Sequence, residues 1–132
     1  MDNTCLCICD CGKEILVPQS KLFNNRVKNC GDKKEKEGMY RYTVYMRGAK
    51  NRQLDFQLSF SQFYKIVQDK CYYCSEPLDN DKINGIDRVN SKKGYFIDNI
   101  VPCCTICNRM KWNFSFEEFK TQIDKLYKNL FP

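Results

Sequence analysis

Two stretches decide the fold of this chain: residues 71–74, which read CYYC, and residues 104–107, which read CTIC. A CxxC turn places two thiolates on one side of a tight knuckle, and two knuckles supply the four soft ligands of a tetrahedral zinc site. Redox-active dithiols and disulfides are the alternatives for such pairs. We predict that the two turns share one structural zinc. Its ligands would be Cys71, Cys74, Cys104 and Cys107.

Composition excludes several classes of protein. The chain has 132 residues, ten cysteines and no histidine. Without an imidazole it cannot form a histidine-based triad, a two-Cys, two-His zinc finger or a histidine-ligated haem. No apolar run approaches the ~18 residues of a membrane span, so we expect no membrane partner. The first residues lack the apolar core of a secretory signal. This favours metal binding in the cytoplasm of a bacterial host or an infected cell over a secreted disulfide scaffold.

A second cysteine cluster, near the N-terminus, predicts a second zinc site. Alternate residues of an extended segment point to the same side. Cys7, Cys9 and Cys11 can therefore converge, with Cys30 returning from the next turn and Asp32 as an alternative fourth ligand. A few buried thiols without metal are the other interpretation. Two metals need about eight ligands, so we expect one or two cysteines to be spare. The candidates for spare thiols are Cys5, Cys7 and Cys103.

Periodicity and turn residues predict short helices and strands. The charged residues 33–38 are predicted as a linker or a frayed helix start, between a Cys-rich segment at 1–36 and a larger domain at 37–132. The predicted elements are a basic helix at 40–52, an extended link at 54–58, a helix from Ser59 to about Asp69, a hairpin with a strand core at 86–89 and a turn at 91–94, a helix beginning near Asn108, and a last helix opened by a capping box at 115–118. The predicted buried face of the last helix is Phe119, Ile123, Leu126, Tyr127 and Leu130.

The segment between and beyond the knuckles resembles a known family. Residues 85–95 read GIDRVNSKKGY and residues 98–111 read DNIVPCCTICNRMK, a hairpin followed by a helix that leaves the second knuckle. They resemble the zinc-binding branch of the HNH endonucleases, also called His-Me finger or ββα-metal nucleases. The resemblance extends to residues 47–52 (RGAKNR), 56–59 (FQLS) and 115–119 (SFEEF), and covers roughly residues 40–120.

This resemblance implies an α+β fold of small zinc-stabilised modules, with an HNH-like ββα core flanked by helices. Residues 37–132 would form the HNH-like domain. The CDCG at 9–12 and the CG at 30–31 resemble a zinc ribbon that is often attached to phage and mobile-element HNH proteins. In that ribbon a further cysteine usually follows the last Cys-Gly pair, where this chain has Asp32.

The family also implies a function, that of a divalent-metal-dependent endonuclease that nicks or cuts DNA. By motif position, Asp87 matches the metal-binding acid of the first strand, and Asn108 matches the helix residue that completes the metal site. Asn99 matches the central asparagine that organises the loop. The catalytic cation would be Mg²⁺ or Mn²⁺, separate from the structural zincs.

The position after Asp87, a histidine base in the family, is Arg88 in this chain. A guanidinium stays protonated at neutral pH, so Arg88 cannot accept a proton, although it can bind phosphate through two hydrogen bonds. A base would have to come from elsewhere, and the candidates are hydroxide on the metal, Tyr95 or a carboxylate such as Asp98. The Asp-Arg pair also occurs widely in this branch of the family.

Charge placement predicts DNA as the partner. The 22 basic and 16 acidic residues give a net charge of +6, and clustered Lys and Arg neutralise phosphates largely independently of sequence. The predicted nucleic-acid contacts are Arg47, Lys50, Arg52, Lys92, Lys93, Arg109 and Lys111. Two alternatives to an endonuclease stay open: a non-catalytic zinc-dependent nucleic-acid-binding protein derived from the HNH fold, and a viral or mobile-element factor that binds a host protein.

Overall fold

The described part of the chain forms nine elements, in an order that mixes helices and strands. The computed structural model describes residues 3–9, 12–27, 30–31, 33–79 and 81–132. Within these ranges the elements are β1 (Thr4–Ile8), β2 (Glu14–Pro18), α1 (Gln19–Phe23), α2 (Lys33–Asn51), α3 (Phe60–Val67), β3 (Gly85–Arg88), β4 (Ile100–Cys103), α4 (Thr105–Lys111) and α5 (Phe116–Leu130). β1 pairs with β2 and β3 with β4, each pair antiparallel. The α+β class is as predicted. No helix in the described ranges has both the length and the apolar character needed to cross a bilayer.

Helix α2 begins at Lys33, earlier than the predicted start at residue 40. Lys and Glu are good helix formers, so the charged residues that suggested a linker form the first turns of the helix instead. Gly38 does not end the helix, because the ring of Tyr64 packs against its face, 2.6 Å from where a Cβ would lie. The helix therefore runs without a break across the boundary at residue 36 that the sequence suggested between two domains.

Aromatic side chains from α2, α3 and the segment between them pack together at the main core. The ring of Tyr42 lies 5.4 to 5.7 Å from the rings of Phe56, Phe60 and Phe63, in edge-on contacts. Such pairs add to the free energy of burial. Ser59 caps α3 through the predicted position, and Gln62 completes a capping box there. The predicted extended link at 54–58 makes a single bridge, between Phe56 and Tyr95.

The last helix differs from its predicted packing. Its capping box, Ser115 with Glu118, forms as expected. Only Phe119 of the predicted apolar face is buried. The other four residues of that face, Ile123, Leu126, Tyr127 and Leu130, are exposed. The first turn of α5 packs on Tyr73 through ring contacts of Phe116 and Phe119, and the residues after Phe119 are exposed. Helical spacing alone therefore predicted too many buried residues in this helix.

The turn of the β3–β4 hairpin is docked on the segment before α3. The Tyr95 N–H donates to the Asp55 carbonyl at 2.8 Å, and the Gln57 N–H donates to the Tyr95 carbonyl at 2.8 Å. Gly94 lies at the closest approach, where a Cβ would overlap the Asp55 carbonyl oxygen. The hairpin that carries the candidate site residues is therefore held to the core by backbone contacts that leave no space for a side chain.

We predict that Gly94→Ala lowers the free energy of unfolding by about 1–3 kcal/mol, because the backbone of Asp55 would have to move. Gly48→Ala is the matched control. It lies inside α2, its Cβ would meet only Arg52 Nη2 at 3.6 Å, and a helical Gly→Ala change stabilises by about 0.5–1 kcal/mol. Urea unfolding measures both. Equal effects of the two substitutions would contradict the close docking of the hairpin.

Candidate active site and metal centres

The two CxxC turns come together as predicted. The sulfur atoms of Cys71, Cys74, Cys104 and Cys107 all lie within 4.8 Å of one another. The Cys104 N–H donates to Cys71 Sγ at 3.3 Å, and the Cys107 N–H donates to Cys104 Sγ at 3.4 Å. The second of these bonds also caps α4, so the thiol cluster starts this helix. Four sulfurs at this spacing could hold a metal ion, and the donor set fits zinc.

Hydrogen bonds in the cluster stabilise a thiolate. Burial alone would raise the pKa of Cys71, but N–H groups of Cys104, Cys74 and Tyr73 point at its sulfur and lower that pKa to about 6. Burial raises the pKa of Cys107. Burial also raises the pKa of Cys103, whose thiol donates to the Cys104 carbonyl at 3.4 Å. Cys103 lies outside the four-sulfur group, in agreement with its place among the spare thiols.

The β3–β4 hairpin and α4 enclose a cavity of about 300 Å³. It brings together three of the four predicted catalytic residues: Asp87 and Arg88 from the end of β3, and Asn108 from α4. The other lining residues are Tyr45, Arg52, Ile86, Tyr95, Trp112 and Asn113. The hairpin and helix therefore bring a carboxylate, a guanidinium and an amide to one small site.

One oxygen of Asp87 is held from two sides. Tyr73 donates its hydroxyl to Asp87 Oδ2 at 2.6 Å, and Lys111 Nζ lies 3.1 Å from the same oxygen. Asp87 itself is buried. No residue in the described part of the chain hydrogen-bonds or ion-pairs with Oδ1. The carboxylate is thus fixed through Oδ2, and Oδ1 is the oxygen left for a ligand.

Lys111 corrects a prediction. The sequence placed it among the nucleic-acid contacts, but its side chain is 0% exposed, so it does not reach a partner at the surface. Its ammonium donates to the Arg88 carbonyl at 3.0 Å and pairs with Asp87. The spacing in the sequence could have indicated this burial. Lys111 follows Cys107 by four residues and Asn108 by three, and therefore lies on the same face of α4 as these two residues.

Tyr73 holds the carboxylate of Asp87, a role that the sequence did not indicate. It lies inside the first knuckle, and its ring packs against Phe116 and Phe119 of α5. Burial, reinforced by the hydrogen bond to Asp87, raises the pKa of Tyr73. Its hydroxyl therefore stays protonated and acts as a donor to the carboxylate, which excludes it as a general base.

Asn99 lies where the family resemblance placed a loop-organising asparagine. Its Nδ2 donates to the carbonyls of Asn90 and Gly94 at 3.1 and 2.9 Å, and its Oδ1 accepts from the Asn90 N–H at 3.0 Å. The side chain is buried and does not line the cavity. Its contacts order the hairpin turn and include no group that would meet a substrate.

Arg88 is held by the same turn. Its Nη1 donates to the carbonyls of Ser91 and Lys93 at 2.8 and 2.9 Å. The guanidinium carbon lies 5.3 Å from the ring centroid of Tyr95, a cation–π contact. These contacts fix the guanidinium plane at the cavity while Nη2 and Nε make no hydrogen bond to any described residue.

Basic residues surround the site on both sides of Asn108. A second cavity, of about 380 Å³, shares Tyr45, Asn108 and Trp112 with the first and adds Arg41 and Arg109. Arg52 and Arg88 line the first cavity. The other predicted contacts that lie exposed at the surface are Arg47, Lys50, Lys92 and Lys93. Four guanidiniums thus border two adjoining cavities, a charge pattern suited to phosphate groups.

Trp112 stands at the junction of these cavities. It follows α4 with φ 45° and ψ −121°, in the left-handed region that a residue with a side chain rarely adopts. Such a conformation costs about 1–3 kcal/mol and persists where the surroundings enforce it. The indole is 69% exposed. The backbone turn therefore presents a large aromatic ring beside the guanidiniums.

A larger cavity, of about 790 Å³, adjoins the second cavity at Arg41 and Gly85 and extends between the start of α2 and the loop around Asp81. Its lining mixes lysines with acidic residues and includes neither Asp87 nor Arg88. We assign the candidate active site to the smaller cavity because the carboxylate, amide and guanidinium groups converge there.

The N-terminal cluster is composed differently from the prediction. Ligand atoms of Cys9, Cys30 and Glu35 lie within 4.8 Å of one another. Cys7 is not in this group, and its thiol lies 3.7 Å from the Cys5 carbonyl along β1. The other two predicted ligands, Cys11 and Asp32, lie outside the described residues. Glu35 was missed because the charged segment around it suggested a solvated linker.

Comparisons with known proteins identify one related sequence and one related fold. No family model matches the chain. Over 79 residues, 60% of its length, the chain is 42% identical to an uncharacterized protein of Acanthamoeba polyphaga mimivirus, of which it spans 15%. Among solved structures it is similar to the rare-cutting HNH restriction endonuclease PacI, with a TM-score of 0.55 and 21% identity, over 86% of this chain and 88% of that one. The likeness confirms an α+β fold similar to the HNH fold.

We predict that Lys111→Met, which keeps the length of the side chain but removes its charge, lowers the free energy of unfolding by about 3–5 kcal/mol. The substitution leaves the Asp87 carboxylate buried without its cation. Urea unfolding measures the loss, and the exposed Lys92→Met is the control, expected to change stability by no more than about 0.5 kcal/mol. Combining Lys111→Met with Asp87→Asn should recover part of the loss. A stable Lys111→Met protein would refute the buried pair.

Proposed function

We propose that the chain is a divalent-metal-dependent DNA endonuclease of the HNH type, in which arginine replaces the usual histidine base. The observation that carries this proposal is the convergence of Asp87, Arg88 and Asn108 on one cavity between the β3–β4 hairpin and α4. The fold likeness to an HNH restriction endonuclease supports it. The four-sulfur cluster would hold a structural zinc that stays outside the chemistry.

Asp87 and Asn108 would hold the catalytic Mg²⁺ or Mn²⁺. Carboxylate and amide oxygens are ligands that these hard cations prefer. Asp87 offers Oδ1, because Tyr73 and Lys111 already occupy Oδ2. The side chain of Asn108 hydrogen-bonds to no residue in the described part of the chain. When bound, the cation would stabilise charge on the scissile phosphate and on the leaving oxygen.

Arg88 would bind the phosphate as a fixed donor. Two carbonyls of the hairpin turn hold Nη1, so the orientation of the guanidinium is set before a substrate arrives. Preorganised donors of this kind stabilise charge that develops in the transition state without reorganising during the reaction. Because a guanidinium keeps its proton, Arg88 would act through electrostatics alone.

Because Arg88 cannot accept the proton of the attacking water, a different group would have to accept it. Of the two side chains that the sequence suggested, Asp98 is exposed and does not line the cavity, whereas Tyr95 does. Arg52 Nη2 donates to the Tyr95 hydroxyl at 2.9 Å. General-base assistance contributes about 10²–10⁴ in rate. A site without a histidine would lose this contribution but would keep electrostatic stabilisation of the transition state, which is usually the largest contribution to catalysis.

DNA would lie across the two cavities that meet at Asn108. Arg41 and Arg109 border one cavity, and Arg52 and Arg88 border the other, so each cavity would offer guanidinium donors to a phosphate. Affinity from such contacts falls steeply with salt concentration. The exposed ring of Trp112 would stack on a base or pack on a sugar beside them.

One observation favours a second candidate function, nucleic-acid binding without cleavage. The Asp87 carboxylate already has a buried counter-cation in Lys111, so its charge is balanced without a metal. With Arg88 in place of a base, the same basic surface could retain DNA affinity after losing the chemistry. This protein would bind DNA with the same salt dependence and would not cut it.

The deciding experiment is a supercoiled-plasmid nicking assay on zinc-loaded protein with Mg²⁺ or Mn²⁺, with gel-shift binding measured on the same preparations. We expect wild type to nick. Asn108→Ala should lose about 100-fold or more in rate while keeping its DNA affinity, because a ligand of the cation that would stabilise charge on the reacting phosphate is removed. Asn51→Ala, at the exposed end of α2, is the matched control and should nick like wild type.

A rare cutting site would escape a single plasmid, so the assay is repeated on total genomic DNA with sequencing of the new 5′ ends. Binding without any metal-dependent ends, on either substrate, would overturn the endonuclease and establish the binding function instead. Nicking that persists unchanged in Asn108→Ala would also overturn the assignment of the site.

A further inference from the structure

We propose that Glu35 is a metal ligand, and that with Cys9 and Cys30 it forms a second metal site that fastens the N-terminal hairpin to helix α2. Glu35 Oε1 lies 2.6 Å from Cys9 Sγ, and Oε2 lies 2.6 Å from Cys30 Sγ. The carboxylate is thus held between two thiols that approach from separate parts of the chain. The inference does not rest on the nuclease function.

The burial of Glu35 is the first argument. Its side chain belongs to the first turns of α2 and is 2% exposed, whereas Lys36 and Glu37 beside it are exposed. Burying a carboxylate is unfavourable unless strong partners compensate for its lost hydration. A helix this rich in Lys and Glu could have left the residue in water, so its inward position indicates a specific partner.

The nature of its neighbours is the second argument. Both sulfurs lie at hydrogen-bond distance from the carboxylate, so three groups of the ligand types that zinc takes already converge on one point. A divalent cation bound there would displace the thiol protons. Thiolates with a carboxylate fit zinc, whereas Mg²⁺ and Ca²⁺ prefer ligand sets made of oxygen alone. The site is therefore assigned to zinc or an ion of similar chemistry.

The place of Glu35 in the fold gives the site a mechanical role. Strands β1 and β2 pair to form the N-terminal hairpin, and the short α1 contacts β2. Tyr42 of helix α2 packs against the main core, and Arg41 of the same helix lines the cavity of about 380 Å³. A metal held by Cys9, Cys30 and Glu35 would join the β1–β2 hairpin to α2. It would thereby fix the position of that hairpin relative to the cavity that Arg41 lines.

The test compares Glu35→Gln with Glu37→Gln in the full chain, without DNA. Glu37 is an exposed acid on the same helix, paired with Arg41 at 2.7 Å. Zinc content and affinity are measured by elemental analysis and by competition with a chromophoric chelator. Loss of a group that merely orients a ligand weakens metal binding by about 10–100-fold, so we expect Glu35→Gln to weaken one of two zinc sites by tenfold or more. Glu37→Gln should leave both unchanged.

Glu35→Cys provides a second readout in case Glu35→Gln does not fold. This variant replaces the carboxylate with another zinc ligand, so it should bind metal, and its cobalt-substituted form should gain thiolate-to-metal charge-transfer absorption. Hydrogen exchange should rise in β1 and β2 of Glu35→Gln while β3, β4 and α4 keep their protection. Wild-type zinc affinity in Glu35→Gln, or failure of Glu35→Cys to bind a second metal, would overturn the proposal and leave the proposed nuclease untouched.

Discussion

The convergence of four cysteine sulfurs is the constraint on which the candidate active site depends. The β3–β4 hairpin is held between the two knuckles, and α4 begins at the second of them through a hydrogen bond to the Cys104 sulfur. The first knuckle also contains Tyr73, which donates to Asp87. Because the strands have only four residues each, their pairing alone gives little stability. The cluster thus positions both the carboxylate and the amide of the site.

Beside this cluster, polar and charged side chains are buried together with the apolar residues of the hairpin. The buried residues between hairpin and helix include Asp87, Asn99 and Lys111, each in hydrogen bonds or an ion pair with its neighbours. In the described part of the chain, every side-chain nitrogen or oxygen atom that is itself fully shielded from solvent has a hydrogen-bond partner. A polar network satisfied in this way fixes geometry well, and removal of any one member leaves an uncompensated group. Rigidity of this kind suits a site that orients phosphate.

Features that depend on residues close together in the sequence were predicted correctly. The CxxC spacing, the hairpin and the capping boxes at Ser59 and Ser115 depend on residues a few positions apart, and each was found where expected. Burial depends on what packs against an element from elsewhere in the chain. For that reason the sequence analysis placed Lys111 at the surface and did not identify Glu35 as a buried side chain. It also predicted a buried face of α5, of which only Phe119 is buried in the described part of the chain.

We infer that the four-sulfur cluster binds zinc and that the unit formed by the β3–β4 hairpin and α4 requires this zinc to keep its fold. The most direct measurement is native mass spectrometry of the intact chain, before and after chelation, with near-UV circular dichroism on the same samples. The account predicts bound zinc in the native chain, and a cooperative loss of the aromatic signal when the last zinc is removed. A chain that keeps its native spectrum while holding no zinc would contradict it.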